Sequence, residues 1–200
     1  MLKKDELKVL KIIFDDLTKN WTILGLSKEL DQKYVQTYRT VKSLTDSDNI
    51  YIEKVGNSKV VKIDFTKFNL NYVVVEIERL KSHLKNKSIN IIYKGIVNLH
   101  ENIICLLFGS QVKKISTKSD LDLLFVIPEQ FDYSSFEKKV KRQLTPYNCD
   151  INIVSEKGLL DMWSNPKKLN VGNEILKNHI VLYGTEHFLN LLRKYNVGEE

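Results

Sequence analysis

Two stretches carry the residues best suited to chemistry. In residues 106–126, LLFGSQVKKISTKSDLDLLFV, an apolar run stops at Gly109-Ser110. A basic loop follows, and Asp120 and Asp122 then lead into a second apolar run. In CDINIVS, residues 149–155, a third carboxylate, Asp150, stands at the entry of another. Side chains alternate faces along a strand, so Asp120 and Asp122 point the same way. Two like charges side by side repel, and one takes up a proton unless a cation lies between them. Magnesium is the natural cation for such hard oxygen ligands. Aspartates at the mouth of an apolar strand are expensive without such a use. The plainer reading is that they act as strand-end caps and turn formers.

The elements around these residues decide whether they meet. Between the second and third strands lies FDYSSFEKKVKRQLTP, where Phe136, Val140 and Leu144 mark one helical face. Ser134 and Glu137 have the spacing of a capping box, and Pro146 follows the end. A strand, a helix and a strand of this length form a crossover, so the two strands are expected to run parallel. Parallel strands begin at the same sheet edge, which brings Asp150 to Asp120 and Asp122. The first strand, IICLLF, must finish at that edge to deliver Gly109-Ser110 there, and so runs antiparallel to the second. One edge then gathers three carboxylates and a Gly-Ser turn, a metal and phosphate site.

The first third has a different pattern. Leu7, Leu10, Phe14 and Leu17 recur at helical spacing and predict a helix over residues 4–19. After a break at Asn20-Trp21-Thr22, a second helix is expected over 23–30. Asp31 offers an N-cap for a third, running through Leu44. Tyr34, Val35, Tyr38, Val41 and Leu44 form its expected inward stripe. Its outward face then shows Gln32, Lys33, Gln36, Thr37, Arg39, Thr40 and Ser43. Two β-rich segments, NIYIEKV and KVVKIDF, hinge on Gly56-Asn57-Ser58 as a hairpin. Three helices and a hairpin follow the order of a winged helix-turn-helix, and LSKELDQKYVQTYRTVKSL resembles the turn and recognition helix of winged-helix regulators. That resemblance implies double-stranded DNA as partner, read by Lys33, Gln36, Thr37, Arg39 and Thr40 from the major groove. A structural or protein-docking domain is the competing reading.

The middle predicts a helix over 71–85, with Val74, Ile77, Leu80 and Leu84 as its apolar face, and another over 88–99. The first is a linker packing on both halves or a dimerisation helix, so a homodimer stays open. The expected division is a winged helix-turn-helix domain at 1–66, a linker helix at 67–88 and a second domain at 89–200.

Composition sets the outer bounds. The chain has 200 residues, 42% hydrophobic and 28% charged, as expected of a globular protein. Its net charge of +6 is concentrated in the first half and hints at a polyanionic partner. No apolar run approaches the roughly 18–20 residues that span a bilayer, so no membrane is expected. The start reads as an amphipathic helix and not as a signal peptide. Cys105 and Cys149 lack a CxxC partner, so neither a disulfide nor a zinc site is expected and the cytoplasm is the default location. His83, His100, His179 and His187 have no ligand spacing. Trp21 and Trp163 read as packing anchors, and Lys138, Lys139, Lys141 and Arg142 as a solvated helix face.

The Gly-Ser, the loop, the Asp-x-Asp and the third Asp one strand later resemble the polymerase-β type nucleotidyltransferases. The minimal members of that superfamily, including those paired with HEPN-domain proteins, are most similar. The resemblance covers roughly residues 90–190, and GNEILKNHIVLYGTEHFLNLL is similar to that branch's helix–strand–helix tail. The chain departs from it after Gly-Ser, where Gln111-Val112-Lys113-Lys114 replaces an Arg followed by small residues. The resemblance implies an α+β fold with a mixed sheet and transfer of a nucleoside monophosphate from an NTP to an acceptor, a partner protein being one candidate. Gly109 and Ser110 would bind the nucleotide, with Lys113 and Lys114 as further phosphate ligands. Asp120, Asp122 and Asp150 would hold two Mg²⁺ (or Mn²⁺) ions. The alternative is a transcriptional regulator whose second half is inactive or senses nucleotide.

Overall fold

The computed structural model describes residues 2–113, 120–145 and 147–198. Lys114, Ser119 and Pro146 lie outside them, as does the side chain of Lys113. The chain is mixed α+β, and its strands among the described residues form two sheets.

Helix α1 (Lys4–Asp15) buries Val9, Leu10, Ile13 and Phe14. It begins with Glu6 accepting the Lys3 backbone N–H at 2.7 Å, and Glu6 also accepts the Ser43 hydroxyl at 2.8 Å. The helix ends before the expected Lys19. Asp16 is extended, and its carboxylate accepts the N–H and hydroxyl of Thr18, a local bond that competes with further helix. The expected break at Asn20-Trp21-Thr22 contains a short strand, β1 (Trp21–Thr22). Helix α2 (Ile23–Glu29) follows, capped by the Thr22 hydroxyl on the Gly25 N–H.

Helix α3 (Tyr34–Asp46) corrects two expectations. Asp31 has a φ of 51°, and a left-handed residue cannot supply the extended backbone of an N-cap; Lys33 takes that position. The inward stripe is Thr37, Val41 and Leu44, whereas Tyr34, Val35 and Tyr38 are exposed. The hairpin forms as expected, from β2 (Tyr51–Val55) and β3 (Ser58–Lys62) around Gly56-Asn57, with Gly56 at φ +59°. β1 pairs with β3, giving the order β1-β3-β2.

Helices α4 (Leu70–His83) and α5 (Lys87–Val97) occupy the middle. α4 packs against α1. Its buried face is Tyr72, Val75, Glu76 and Arg79, so the expected face is rotated: Val74 and Ile77 are exposed. The reason is a buried ion cluster that apolar periodicity cannot register. Arg79 donates to both Glu76 oxygens at 2.7 Å, to the His179 carbonyl at 2.6 Å and to Asp15 at 3.1 Å. His179 Nε2 lies 3.3 Å from Glu76 Oε1. Burial opposes ionisation of Glu76, but Arg79 and His179 outweigh it and hold the carboxyl below its usual range.

The second sheet has the order β6-β5-β4-β7. β4 (Ile104–Phe108) is antiparallel to β5 (Leu121–Ile127), and β5 is parallel to β6 (Cys149–Ser155). β7 (His179–Tyr183) flanks β4 on the other side. Helix α6 (Ser110–Lys113) follows Gly109 directly. The crossover is α7 (Tyr133–Leu144), burying Phe136, Val140 and Leu144. Its cap is Asp132, which accepts the Ser134 N–H at 3.0 Å; Glu137 pairs with Lys141 instead of closing a capping box. Helices α8 (Glu156–Trp163), α9 (Val171–Lys177) and α10 (Thr185–Val197) complete the chain.

Alternation splits the sheet's contacts between two layers. Cys105, Leu107, Leu123 and Phe125 pack with α5 and α7. Ile104, Leu106, Leu124 and Val126 pack with α8, α9 and α10, in one apolar cluster continuous with Val9, Leu10 and Phe14 of α1. No helix among the described residues is long and apolar enough to cross a membrane.

Candidate functional site

Strand register brings the sequence-predicted carboxylates to one place. Asp122 is the direct partner of Asp150 across β5 and β6, and of Phe108 across β4 and β5. Asp120 stands just before β5 and is exposed, as is Asp150. By alternation Asp122 shares the face of Leu124 and Val126, so the acidic group lies on the α8–α10 side of the sheet. Asn152, two residues after Asp150, donates to its Oδ2 at 3.4 Å.

Gly109 ends β4 at φ +76°, and there the absence of a side chain is required twice over. An added Cβ would overlap Asp122 Oδ2 and come within 3.1 Å of its Cγ. The Gly109 carbonyl accepts the Asn178 amide at 2.8 Å, which pins the turn to the end of α9. Ser110 is exposed at the start of α6.

The electrostatics follow from this crowding. Burial, and then the neighbouring Asp150, Asp120 and Glu174, raise the Asp122 carboxyl above its usual range. Burial and Asp120 push the Cys149 thiol up to about 11, so it remains a thiol at neutral pH. No group of three His, Cys, Asp or Glu side chains among the described residues stands ready to hold a metal ion. The backbone therefore gathers the carboxylates, while their side chains, two of them exposed, are not closed into a coordination shell.

Sequence reasoning missed Glu174 and Asn178. Both project from the α9 segment towards the site, one beside Asp122 and one on Gly109. Asn178 is the extended C-cap of α9, so helical spacing gave no signal for it.

The face of α3 forms a second candidate region. Lys33, Gln36 and Arg39 are exposed and Thr40 is partly so. Gln36 donates to Asp5 at 3.3 Å, and the Thr40 hydroxyl to the Gln36 carbonyl at 3.2 Å. Thr37 is the correction: it is fully buried beside Val41 and Leu44, and no ligand on the outer face can reach it. The hairpin adds a feature that sequence reasoning overlooked. Lys54 and Lys59 are direct cross-strand partners, both exposed. Like charges in that position repel and favour an anionic neighbour. The remaining residues behave as packing groups. Trp163 donates to the Gly172 carbonyl from the core, Trp21 is buried beneath Lys19, and Lys139 and Lys141 pair with Glu101 and Glu137. Comparison of the chain with protein-family models, curated proteins and solved structures found no match.

Proposed function

We propose that the chain is a nucleotidyltransferase that moves a nucleoside monophosphate from an NTP to an acceptor hydroxyl, joined to a winged helix-turn-helix that binds double-stranded DNA. The observation that carries the first half is the direct register of Asp122 with Asp150 beside Gly109. The donor set fits divalent magnesium or manganese: hard carboxylate oxygens, with Asp122 raised by burial and then by its acidic neighbours, a repulsion that a bound cation would relieve. Asp120, Asp122 and Asp150 would hold the ions, which supply charge neutralisation at the phosphate oxygens.

The chain's own groups have the following roles. Gly109 lets a phosphate approach the backbone, and the Ser110 hydroxyl donates to a phosphate oxygen. Asp150 accepts the proton of the acceptor hydroxyl. A bond forms between that oxygen and the α-phosphorus, the α–β phosphoanhydride bond breaks, and pyrophosphate leaves. Asn178 positions the turn through the Gly109 carbonyl. For the first third, support comes from the helix order, the β1-β3-β2 sheet and the exposed Lys33, Arg39, Lys54 and Lys59.

The alternative is a DNA-binding regulator whose second half is inactive or only senses nucleotide. It draws on the lack of a ready-made ion-holding trio among the described residues. Incubation with α-labelled NTPs, Mg²⁺ or Mn²⁺ and cell extract separates the two. The transferase reading expects label transfer that Asp120→Asn/Asp122→Asn abolishes, and equal absence of label with both proteins refutes it. Arg39→Ala is expected to weaken duplex binding, and affinity to fall with added salt.

A further inference from the structure

Helix α3 exposes three residues that its own fold does not use. Tyr34 is 49% exposed, Val35 59% and Tyr38 47%. The two tyrosine rings stack on each other, 6.4 Å between centroids, instead of entering the core. All three lie in the first half of α3, which begins just after the exposed N-cap Lys33, and Arg39 and Lys42 are exposed further along the same helix. An apolar patch with cations along its helix is complementary to one surface in particular. The major groove sets phosphates along its walls and, at each A·T pair, a thymine methyl group on its floor. The N-terminal part of a recognition helix is the part that reaches that floor. The Lys54–Lys59 pair on the hairpin supplies a second anion-seeking feature.

Resting on the DNA-binding reading above, we propose that α3 selects thymine-containing duplexes by packing Val35, Tyr34 and Tyr38 against thymine 5-methyl groups. Lys33, Arg39 and Lys42 then contact phosphates and carry no sequence information. Gln36 is held by Asp5 and plays no part in this discrimination.

The test uses the full chain and four alternating duplex polymers: dA-dT, dA-dU, dG-dC and dG with 5-methyl-dC. Uracil lacks the thymine methyl, and 5-methylcytosine restores a methyl in the same groove. Burial of one methyl-sized group corresponds to roughly a fourfold change in affinity. The expected result is dA-dT bound about four- to tenfold tighter than dA-dU, with methylated dG-dC tighter than unmethylated. Val35→Ala is expected to reduce both ratios towards one while the salt dependence stays unchanged. Tyr38→Ala, also at an exposed site, is expected to lower the dA-dT affinity more than the dA-dU affinity. Equal binding of dA-dT and dA-dU overturns methyl reading and leaves DNA binding standing. Discrimination that stays undiminished in both Val35→Ala and Tyr38→Ala overturns the residue assignment. Binding to none of the four refutes the DNA reading itself.

Discussion

Replacing Asp122 by Asn is expected to stabilise the metal-free protein and to remove its response to divalent ions. Asp122 and Asp150 are direct partners on neighbouring strands, which lie about 4.8 Å apart. At roughly 5 Å in a water-like dielectric, two unit charges repel by about 1 kcal/mol. Asp120 and Asp150 are exposed, so the water-like value applies and salt reduces it. The asparagine side chain is close to isosteric with aspartate and carries no charge. The net gain is about 1 kcal/mol, or about 2–4 °C in Tm for a chain of this size. Thermal unfolding by circular dichroism in EDTA, at low salt and near-neutral pH, measures it.

The pH dependence has a fixed sign. The folded Asp122 carboxyl is raised by burial and then by Asp150, Asp120 and Glu174, so it holds its proton more tightly folded than unfolded. That stabilisation is complete below the unfolded value and is lost as pH rises through the raised one. The advantage of Asp122→Asn should therefore grow from acid to neutral pH. With Mn²⁺ at about ten times its dissociation constant, the wild type gains about 1.4 kcal/mol, whereas the variant gains far less. An unchanged or lowered Tm for Asp122→Asn in EDTA, or equal Mn²⁺ shifts in both proteins, refutes the idea of mutually repelling carboxylates awaiting a cation.

Other expectations are more compact. Gly109→Ala adds roughly 1–2 kcal/mol of left-handed strain and displaces the Asp122 carboxylate, so Tm falls and the Mn²⁺ shift shrinks together. Arg79→Met leaves the buried Glu76 with only His179 beside it, at a cost of about 3–5 kcal/mol, while Glu76→Leu/Arg79→Met recovers most of it in urea titrations. Because the Glu76 carboxyl is held low, its stabilisation is present above the ordinary carboxylate range and is lost as pH falls through the lowered value; Glu76→Gln should flatten that acid limb. On the DNA-binding proposal, Lys54→Gln/Lys59→Gln is expected to reduce the slope of log affinity against log salt by about 2 without loss of stability. Thr37→Val replaces a buried hydroxyl that has no hydrogen-bond partner, raising stability by about 1 kcal/mol and leaving duplex binding unchanged.

The sheet that positions the acidic site was legible because strands obey short-range rules. Short apolar runs located β4, β5 and β6, and the length of the α7 crossover dictated that β5 and β6 run parallel. The approach of Asp150 to Asp120 and Asp122 followed from those two facts, and the direct register of Asp122 with Asp150 came from the structure. Side-chain detail did not follow. Asn178 reaches Gly109 from 69 residues away, and Glu174 joins the carboxylates only because α9 folds over the sheet. The cap of α7 shows the same limit at short range. Asp132, Ser134 and Glu137 all carry capping chemistry, and Glu137 was drawn off by Lys141 one turn later.

The helix faces were misread where apolar character and burial part company. On α4, Glu76 and Arg79 are inside because each neutralises the other and His179 completes the cluster, which turns Val74 and Ile77 outward. On α3 the inversion runs the other way: Thr37 is inside without a hydrogen bond, and Tyr34, Val35 and Tyr38 are outside. A buried ion cluster accounts for the first within the molecule. Among the described residues the second is matched only by the Tyr34–Tyr38 stack, which leaves about half of each side chain in water. Violations of local rules concentrate where function demands them. The inverted face of α3, bordered by Lys33, Arg39 and Lys42, is therefore read as a surface shaped for a partner with apolar groups between two lines of negative charge, and duplex DNA has that form.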